Sequence, residues 1–409
     1  MKILIVNTSD IHGGAAIAAF RLMNALNANG ESAKMLVRDK FSDNENVIQV
    51  GGKLKNKFNF YLERGQIYLK NRFSRENLFD VSIANTGVSI TQLPEFKEAD
   101  VIHLHWINQG MLSIDEIGKI LASGKKIVWT MHDMWAFTGI CHHAGTCKRF
   151  EQGCGSCPYL ISASENDLSK QTFQEKQKAY AKGKITFVAC SNWLKELAEK
   201  SPLTRGHSVI SIANPIDTKK YYPKDKNQIR ERLHLPADKK IVLFAAVKAS
   251  DPRKGIDYLV EASRIMAQHP NEILFLIAGN HGEEIEKQLA LPARSLGYVS
   301  SNEMAEIYNA CDLFVTPSLQ ENLPNTIMEA MACGTPCVGF NIGGIPEMIS
   351  HGKNGYVAKY KDADDLAKGI LWTLYKADAE TLSANAREKV LTEYAQEKII
   401  KRYLSVYEE

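Results

Sequence analysis

Glu321-Asn322-Leu323-Pro324-Asn325-Thr326-Ile327-Met328-Glu329-Ala330-Met331-Ala332-Cys333-Gly334-Thr335-Pro336 is the stretch whose reading decides the fold. It sets two carboxylates, Glu321 and Glu329, eight residues apart. An apolar run at 312–316 reads as a strand, and the polar turn 321–326 follows it. An apolar-faced helix is expected to begin near Asn325 and to end at Gly334, which can take the left-handed conformation that closes helices. The free N–H groups at a helix start bind anions. A carboxylate beside them can hold sugar hydroxyls while the amides hold a phosphate. That is the chemistry of a nucleotide-sugar site.

The same strand–helix alternation extends outward in both directions. Toward the N-terminus, 2–6 reads as a buried strand, followed by a loop at 7–14 and an Ala-rich helix over 15–29 that Gly30 stops. Further strands are expected at 35–37, 101–105, 126–130, 185–189 and 208–212, with a helix near 113–123. After a polar stretch, 217–232, the pattern restarts. Strands at 241–245, 273–277, 312–316 and 336–339 are separated by helices at 255–268, 302–310 and 325–333. This is an open parallel α/β pattern. The 409 residues are too many for one comfortable core. The expected fold class is α/β, with two Rossmann-like domains, 1–217 and 218–387, facing across a cleft.

A net charge of +3 gives no sign of wholesale nucleic-acid binding, so no nucleic-acid partner is expected. No apolar run approaches the roughly 18 residues of a membrane helix. Met1-Lys2-Ile3-Leu4-Ile5-Val6-Asn7 reads as a strand rather than a signal peptide, which makes a cytoplasmic protein the expectation. Residues 53–75 hold seven Lys/Arg and one acid, Glu63, interleaved with Phe58, Phe60, Tyr61, Leu62, Ile67, Tyr68, Leu69 and Phe73. Such a segment suits anionic lipid headgroups at the inner face of the plasma membrane, or a lipid diphosphate-linked acceptor. The plainer expectation is an amphipathic helix pair packed on the first domain with its basic face in solvent.

Of the eight cysteines, Cys190, Cys311, Cys333 and Cys337 fall in apolar strands or helices. Cys141, Cys147, Cys154 and Cys157 cluster, with His142 and His143 as spare ligands. The spacing suits a structural tetrathiolate zinc site near the acceptor, with free or disulfide-bonded thiols as the alternatives. Four thiolates would leave no open position, so the cluster is not expected to be catalytic.

The opening stretch resembles the signature of the retaining glycosyltransferases of group 1, also called family 4, whose usual form is E-G-F/L-x-x-x-x-x-E-A-M-A-x-G-x-P-V-V. The resemblance takes in Gly13-Gly14, Thr130-Met131-His132-Asp133, Asn214-Pro215-Ile216-Asp217, Pro252-Arg253-Lys254-Gly255 and Gly343-Gly344-Ile345-Pro346-Glu347. The Cys-rich segment is similar to a subgroup that builds bacterial surface polysaccharides. The resemblance implies the GT-B fold, with a last helix, 388–409, returning to the first domain. It implies a hexosyl transfer from a nucleoside diphosphate sugar to a saccharide, lipid-linked in this subgroup.

By that resemblance, Glu329 binds the ribose hydroxyls and Glu321 lies near the donor sugar. The amides of Asn322, Leu323, Pro324 and Asn325 line sugar and phosphate, Pro324 contributing backbone shape only. Asn322 stands where relatives often carry glycine, and asparagine tolerates unusual backbone angles. Lys254 is placed to meet the diphosphate. Lys248 stands where many relatives have arginine, offering a point charge instead of a fork. Arg253 ranks below it as a donor. Gly13 and Gly14 form the phosphate-facing first loop. Gly279, Gly297 and the Gly343-Gly344 pair are expected at strand-end turns. His132 contacts the donor sugar or organises transfer, with Asp133 orienting it. His103 and His105 share one face of a strand, and His105 is the acceptor-side candidate. No catalytic metal is expected, because cations and helix amides can neutralise the leaving phosphate. Asp364-Asp365 falls in a late polar helix rather than at a strand end. The alternatives are a sugar-nucleotide epimerase or phosphorylase on the same architecture, or a nonenzymatic sugar-nucleotide-binding module.

Overall fold

The computed structural model describes residues 1–268 and 272–409. Apolar runs without polar alternation form strands covered on both faces. The strands of the first half are β1 (Lys2–Ser9), β2 (Ser32–Asp39), β3 (Val47–Gln49), β4 (Val101–Leu104), β5 (Lys126–Met131), β6 (Thr186–Ala189) and β7 (Ser208–Ser211), with β1, β4, β5 and β6 such runs. They pair in parallel in the order β3-β2-β1-β4-β5-β6-β7. The helices of this half are α1 (Gly14–Ala28), α2 (Lys53–Lys70), α3 (Pro94–Glu98), α4 (Ile114–Leu121), α5 (Leu168–Tyr180) and α6 (Asn192–Glu199).

A second parallel sheet follows: β8 (Lys240–Lys248), β9 (Ile273–Asn280), β10 (Ala293–Gly297), β11 (Leu313–Thr316), β12 (Cys337–Phe340) and β13 (Gly355–Ala358). Its order is β10-β9-β8-β11-β12-β13. Its helices are α7 (Lys226–Arg232), α8 (Ile256–Ile265), α9 (Gly282–Glu286), α10 (Ser301–Ala310), α11 (Asn325–Ala332), α12 (Ile345–Met348), α13 (Ala363–Tyr375), α14 (Ala379–Glu393) and α15 (Gln396–Glu408). In each sheet the first strand has its successor on one side and a later strand on the other: β1 between β2 and β4, β8 between β9 and β11. Ligands of open α/β sheets bind beyond the carboxyl ends of the strands at such a reversal.

The chain divides into two compact units, 1–213 with 400–409, and 214–399. The outgoing strand segment and the returning one pair with each other, Ile216 N–H donating to Tyr394 O at 3.1 Å and Gln396 N–H to Ile216 O at 3.0 Å. Residues 388–399, which the sequence reading grouped with the returning helix, pack in the second unit, and α15 enters the first only from Ile400. There Tyr403 and Tyr407 are buried.

Segment 53–75 departs from expectation. It makes one long helix, α2, rather than a pair, and the helix is inverted. Asn56, Asn59, Glu63, Arg64 and Ile67 are buried, while Leu54, Phe58, Tyr61, Leu62 and Leu69 are exposed. The physical reason is hydrogen bonding: Glu63 and Arg64 satisfy backbone groups at 81–84 and Asn56 those of Arg38 and Val50, which an apolar face could not do.

Candidate functional site

In the second unit, β8 and β11 end side by side and their following loops are locked together. β8 runs to Lys248, which is exposed at its carboxyl end. Asp251 caps a single 3-10 turn, Pro252–Lys254. Gly255 then takes φ +68°, and a Cβ there would lie 1.8 Å from Pro317 O, so only glycine lets the two loops touch. Leu319 N–H donates to Arg253 O at 2.8 Å. Across this seam Lys254 Nζ pairs with Glu321 Oε1, and Ser318 Oγ donates to the same oxygen at 3.2 Å. Arg253 is turned onto Asp251, Nη2 to Oδ2 at 2.8 Å, and is thereby taken up within its own turn.

The loop 321–325 is backed by the turn after β12. Gly343 has φ +57°, and a Cβ on it would sit 1.8 Å from Glu321 O. Gly344 N–H donates to Asn322 O at 2.7 Å. The left-handed residue of this arrangement is therefore Gly343, while Asn322 has no positive φ. α11 starts at Asn325 after Pro324, with no side-chain cap from Pro324. The Thr326 and Ile327 amides have no acceptor inside the helix, which leaves the loop end suited to an anion. Asn325 Oδ1 accepts from Asn214 Nδ2 at 3.1 Å, tying in the Asn214-Pro215 segment. Glu329, in the second turn of α11, is buried and accepts from Tyr308 of α10 at 3.1 Å. Asp365 accepts from Tyr356 Oη and Lys359 N–H in the first turn of α13.

In the first unit, Gly13 and Gly14 start α1 after β1. Buried Asp10 holds the loop, accepting from the N–H groups of Ile11 at 3.0 Å, Phe41 at 3.1 Å and Ser42 at 2.8 Å. Burial pushes its carboxyl up, but the bonds from Ser42 and Phe41 outweigh this and it stays below the usual range.

At the ends of β4 and β5 the histidines form a connected, largely buried set. His105 Nδ1 and His132 Nε2 are 2.9 Å apart, and Cys190 Sγ lies 3.6 Å from His132 Nδ1. His103 bonds Tyr407 Oη at 2.7 Å and Thr130 Oγ1 at 2.8 Å, and Thr130 in turn meets Tyr403 Oη at 2.9 Å. Burial holds His103 down to about 3 and His132 down to about 4, and puts His105 well below its ordinary value. All three are neutral near pH 7. His105 Nε2 is buried without a protein partner. An orphaned lone pair costs less than an orphaned N–H, so the consistent tautomer has His105 Nδ1–H donating to His132 Nε2.

Asp133, expected to orient His132, directs its carboxylate elsewhere: to Trp106 Nε1 at 2.7 Å, His142 Nδ1 at 2.8 Å and Trp135 N–H at 2.8 Å. Burial opposes its ionisation, yet the His142 contact and the Trp135 amide bring it to about 2. Its effect on His132 is a charge effect, raising the imidazole against the larger lowering by burial.

Cys141, Cys147, Cys154 and Cys157 line one cavity with Ile140, Phe150 and Tyr159. They are free thiols. Burial pushes Cys154 up to about 11 and Cys157 up to about 12. Among the described residues no group of three or more His, Cys, Asp or Glu side chains is arranged to hold a metal ion. The spacing thus gathers four thiols at one cavity.

Sequence reasoning missed Tyr308, Ser318, Cys190, Tyr403 and Tyr407. Each is an ordinary residue in its own segment and gains a role only through a distant contact.

A parallel α/β pair of units, one carrying a cation–carboxylate pair at a helix start beyond its strand reversal, defines a class of fold, the doubly wound α/β type. Within that class, residues 225–389 match the family model "Glycosyl transferases group 1", and the chain carries that domain. An N-acetyl-alpha-D-glucosaminyl L-malate synthase of Bacillus anthracis is 28% identical over 205 residues, covering 49% of this chain and 53% of that protein. The chain spans about half the length of this and the next curated relative it matches. A longer match, 23% identical over 77% of this chain and 76% of the other, is to the Escherichia coli UDP-Gal:alpha-D-GlcNAc-diphosphoundecaprenol alpha-1,3-galactosyltransferase. Among solved structures, sucrose-phosphate synthase from Thermosynechococcus elongatus has a TM-score of 0.69 at 20% identity, covering 99% of this chain and 98% of that one. Anabaena HepE in complex with UDP has a TM-score of 0.65 at 17% identity, covering 99% of each. The fold is the two-unit parallel α/β architecture called GT-B.

Proposed function

We propose that this chain is a retaining glycosyltransferase. It moves a hexosyl group from a nucleoside diphosphate sugar to a saccharide, lipid-linked, in the synthesis of a cell-surface polysaccharide. The observation that carries the reading is the Lys254–Glu321 pair beside the start of α11, at the strand reversal of the group 1 domain. In this reading Lys254 swings from Glu321 to the diphosphate when donor binds, with Lys248 as a second cation. The amides of 322, 323 and 325–327 take phosphate and sugar oxygens, and Glu329 takes the ribose hydroxyls. In the first unit, Gly13 and Gly14 leave the start of α1 open to an anion.

The transfer follows from these parts. The bond between the anomeric carbon and the diphosphate oxygen breaks, with its electron pair leaving on the phosphate. Lys254 and the helix amides stabilise that charge. The acceptor oxygen attacks from the same face, and its proton passes to the departing phosphate oxygen, so configuration is kept. His132, neutral at working pH, organises the reacting groups by hydrogen bonding rather than by carrying charge. The Escherichia coli relative, named for a diphosphoundecaprenol-linked acceptor, supports the lipid-linked class.

The test is calorimetry against a panel of UDP-, GDP-, ADP- and TDP-sugars, repeated with Glu329→Ala and Lys254→Ala. Turnover with the bound donor then follows, with the anomeric configuration of the product read by NMR. Selective binding weakened by both changes, with a retained product, is the expected result. Unaltered binding in both variants would overturn the donor-site assignment. An inverted product would overturn the front-face mechanism.

A further inference from the structure

We propose that the solvent face of α2 is a docking surface for an anionic phospholipid bilayer. At about 100° per residue, Leu54, Phe58, Tyr61, Leu62 and Leu69 fall within roughly 100° of one another on the helix wheel. Leu54 is 85% exposed, Tyr61 67% and Phe58 64%. Phe73, just past the helix end, adds another exposed ring. A helix that packs on a core normally turns such residues inward. This one turns them out and is anchored by its polar side.

The anchoring is specific, so the orientation is set by the fold. Asn56 Nδ2 donates to Arg38 O and Val50 O, both at 2.8 Å. Thr86 Oγ1 donates to Asn59 Oδ1 at 2.8 Å. Glu63 Oε1 accepts from Ile83 N–H and Ala84 N–H, each at 2.9 Å. Arg64 pairs with Glu63 at 3.1 Å and donates to Val81 O at 2.8 Å. Rotating α2 to bury its apolar side would strand all of these groups.

Charge selects the occupant. Lys53, Lys55, Lys57, Lys70, Arg72 and Arg75 are exposed along this stretch. The single acid of the helix, Glu63, is buried beneath it and paired with Arg64. On the wheel Lys53 and Lys57 flank one edge of the apolar arc and Lys55 the other. From there their stems can reach headgroup phosphates while the rings and leucines enter the acyl boundary. A protein partner would need acids matched to each lysine, whereas a bilayer surface supplies negative charge without register. Among the described residues no helix is long and apolar enough to cross a membrane, so the contact is with the surface.

The experiment uses the full chain and sedimentation with phosphatidylcholine vesicles, with or without phosphatidylglycerol at roughly three to one. Binding to the mixed vesicles, weak or none to the neutral ones, and release by salt are expected. Phe58→Ser combined with Leu69→Ser should cut partitioning roughly tenfold or more. Lys53→Gln, Lys55→Gln and Lys57→Gln together should do the same. All five positions are exposed, and circular dichroism confirms folding. Equal partitioning by the wild type and both variants would overturn the proposal, as would no binding to either vesicle. A wild-type dimer in light scattering that the apolar variant reduces to monomer would assign the face to a second copy instead. The assay holds no sugar nucleotide and reads no turnover, so it can fail while the transferase reading stands, and the reverse.

Discussion

The carboxyl ends of the two sheets are built from opposite materials. Beyond β8 and β11 stand a lysine and a carboxylate in contact, at a helix start with unspent amides. Beyond β4 and β5 stand imidazoles held neutral by burial and linked to one another and to a thiol. One edge offers charge to a ligand and the other offers shape and hydrogen bonds. The lesson is that one parallel sheet topology serves either purpose, because the loops after the strands, and not the strands, decide which.

The largest effect that sharpens this contrast is at Lys254. Lys254→Ala should lower kcat/KM by roughly a thousandfold, since it removes the cation aimed at the leaving charge and leaves Glu321 unpaired. Activity within a few-fold of wild type would erase the distinction between the two edges. The histidine edge should show itself in acid. His103 and His132 have folded values of about 3 and about 4, below the ordinary imidazole value. The unfolded chain therefore takes up protons first, and stability present above pH 6.5 is lost as pH falls toward 4. The loss should be about 2 kcal/mol per histidine between pH 6.5 and pH 5, read by urea unfolding. A flat profile over that range would mean the histidines are not buried neutral.

Smaller effects test the second contacts of each edge. Glu329→Gln keeps the shape and the bond from Tyr308 but weakens the acceptor for ribose hydroxyls. Donor affinity should fall roughly tenfold by calorimetry, with the melting temperature little changed. Tyr407→Phe removes the hydroxyl at His103 Nδ1 and should cost about 1 kcal/mol in urea unfolding, with donor affinity untouched. A change in donor affinity there would tie the two edges together.

The two edges also differed in how far the sequence revealed them. Lys254, Glu321 and Glu329 could be picked out because charged residues at a strand-to-helix turn break an apolar pattern. The interior strands could be read for the complementary reason, as unbroken apolar runs. β3, β10 and β13 escaped notice: they lie at sheet edges, where three to five residues such as Ala293–Gly297 need no apolar run. The His103–Tyr407 bond joins residues 304 apart, and no local pattern encodes a contact at that range. The direction of α2 was misread because amphipathicity gives the two faces but not which one is buried. That choice was made by Asn56 finding the backbone carbonyl of Arg38, Asn59 the hydroxyl of Thr86, and Glu63 the backbone amide of Ile83.

Residues 400–409 complete the first unit, yet they are translated after all of the second. On the ribosome, the nascent first unit holds its His103 and Thr130 without their tyrosine partners while residues 214–399 emerge. The order of synthesis and the order of completion are thus reversed. The first unit is finished only when the last turns of α15, residues 400–409, have followed the second.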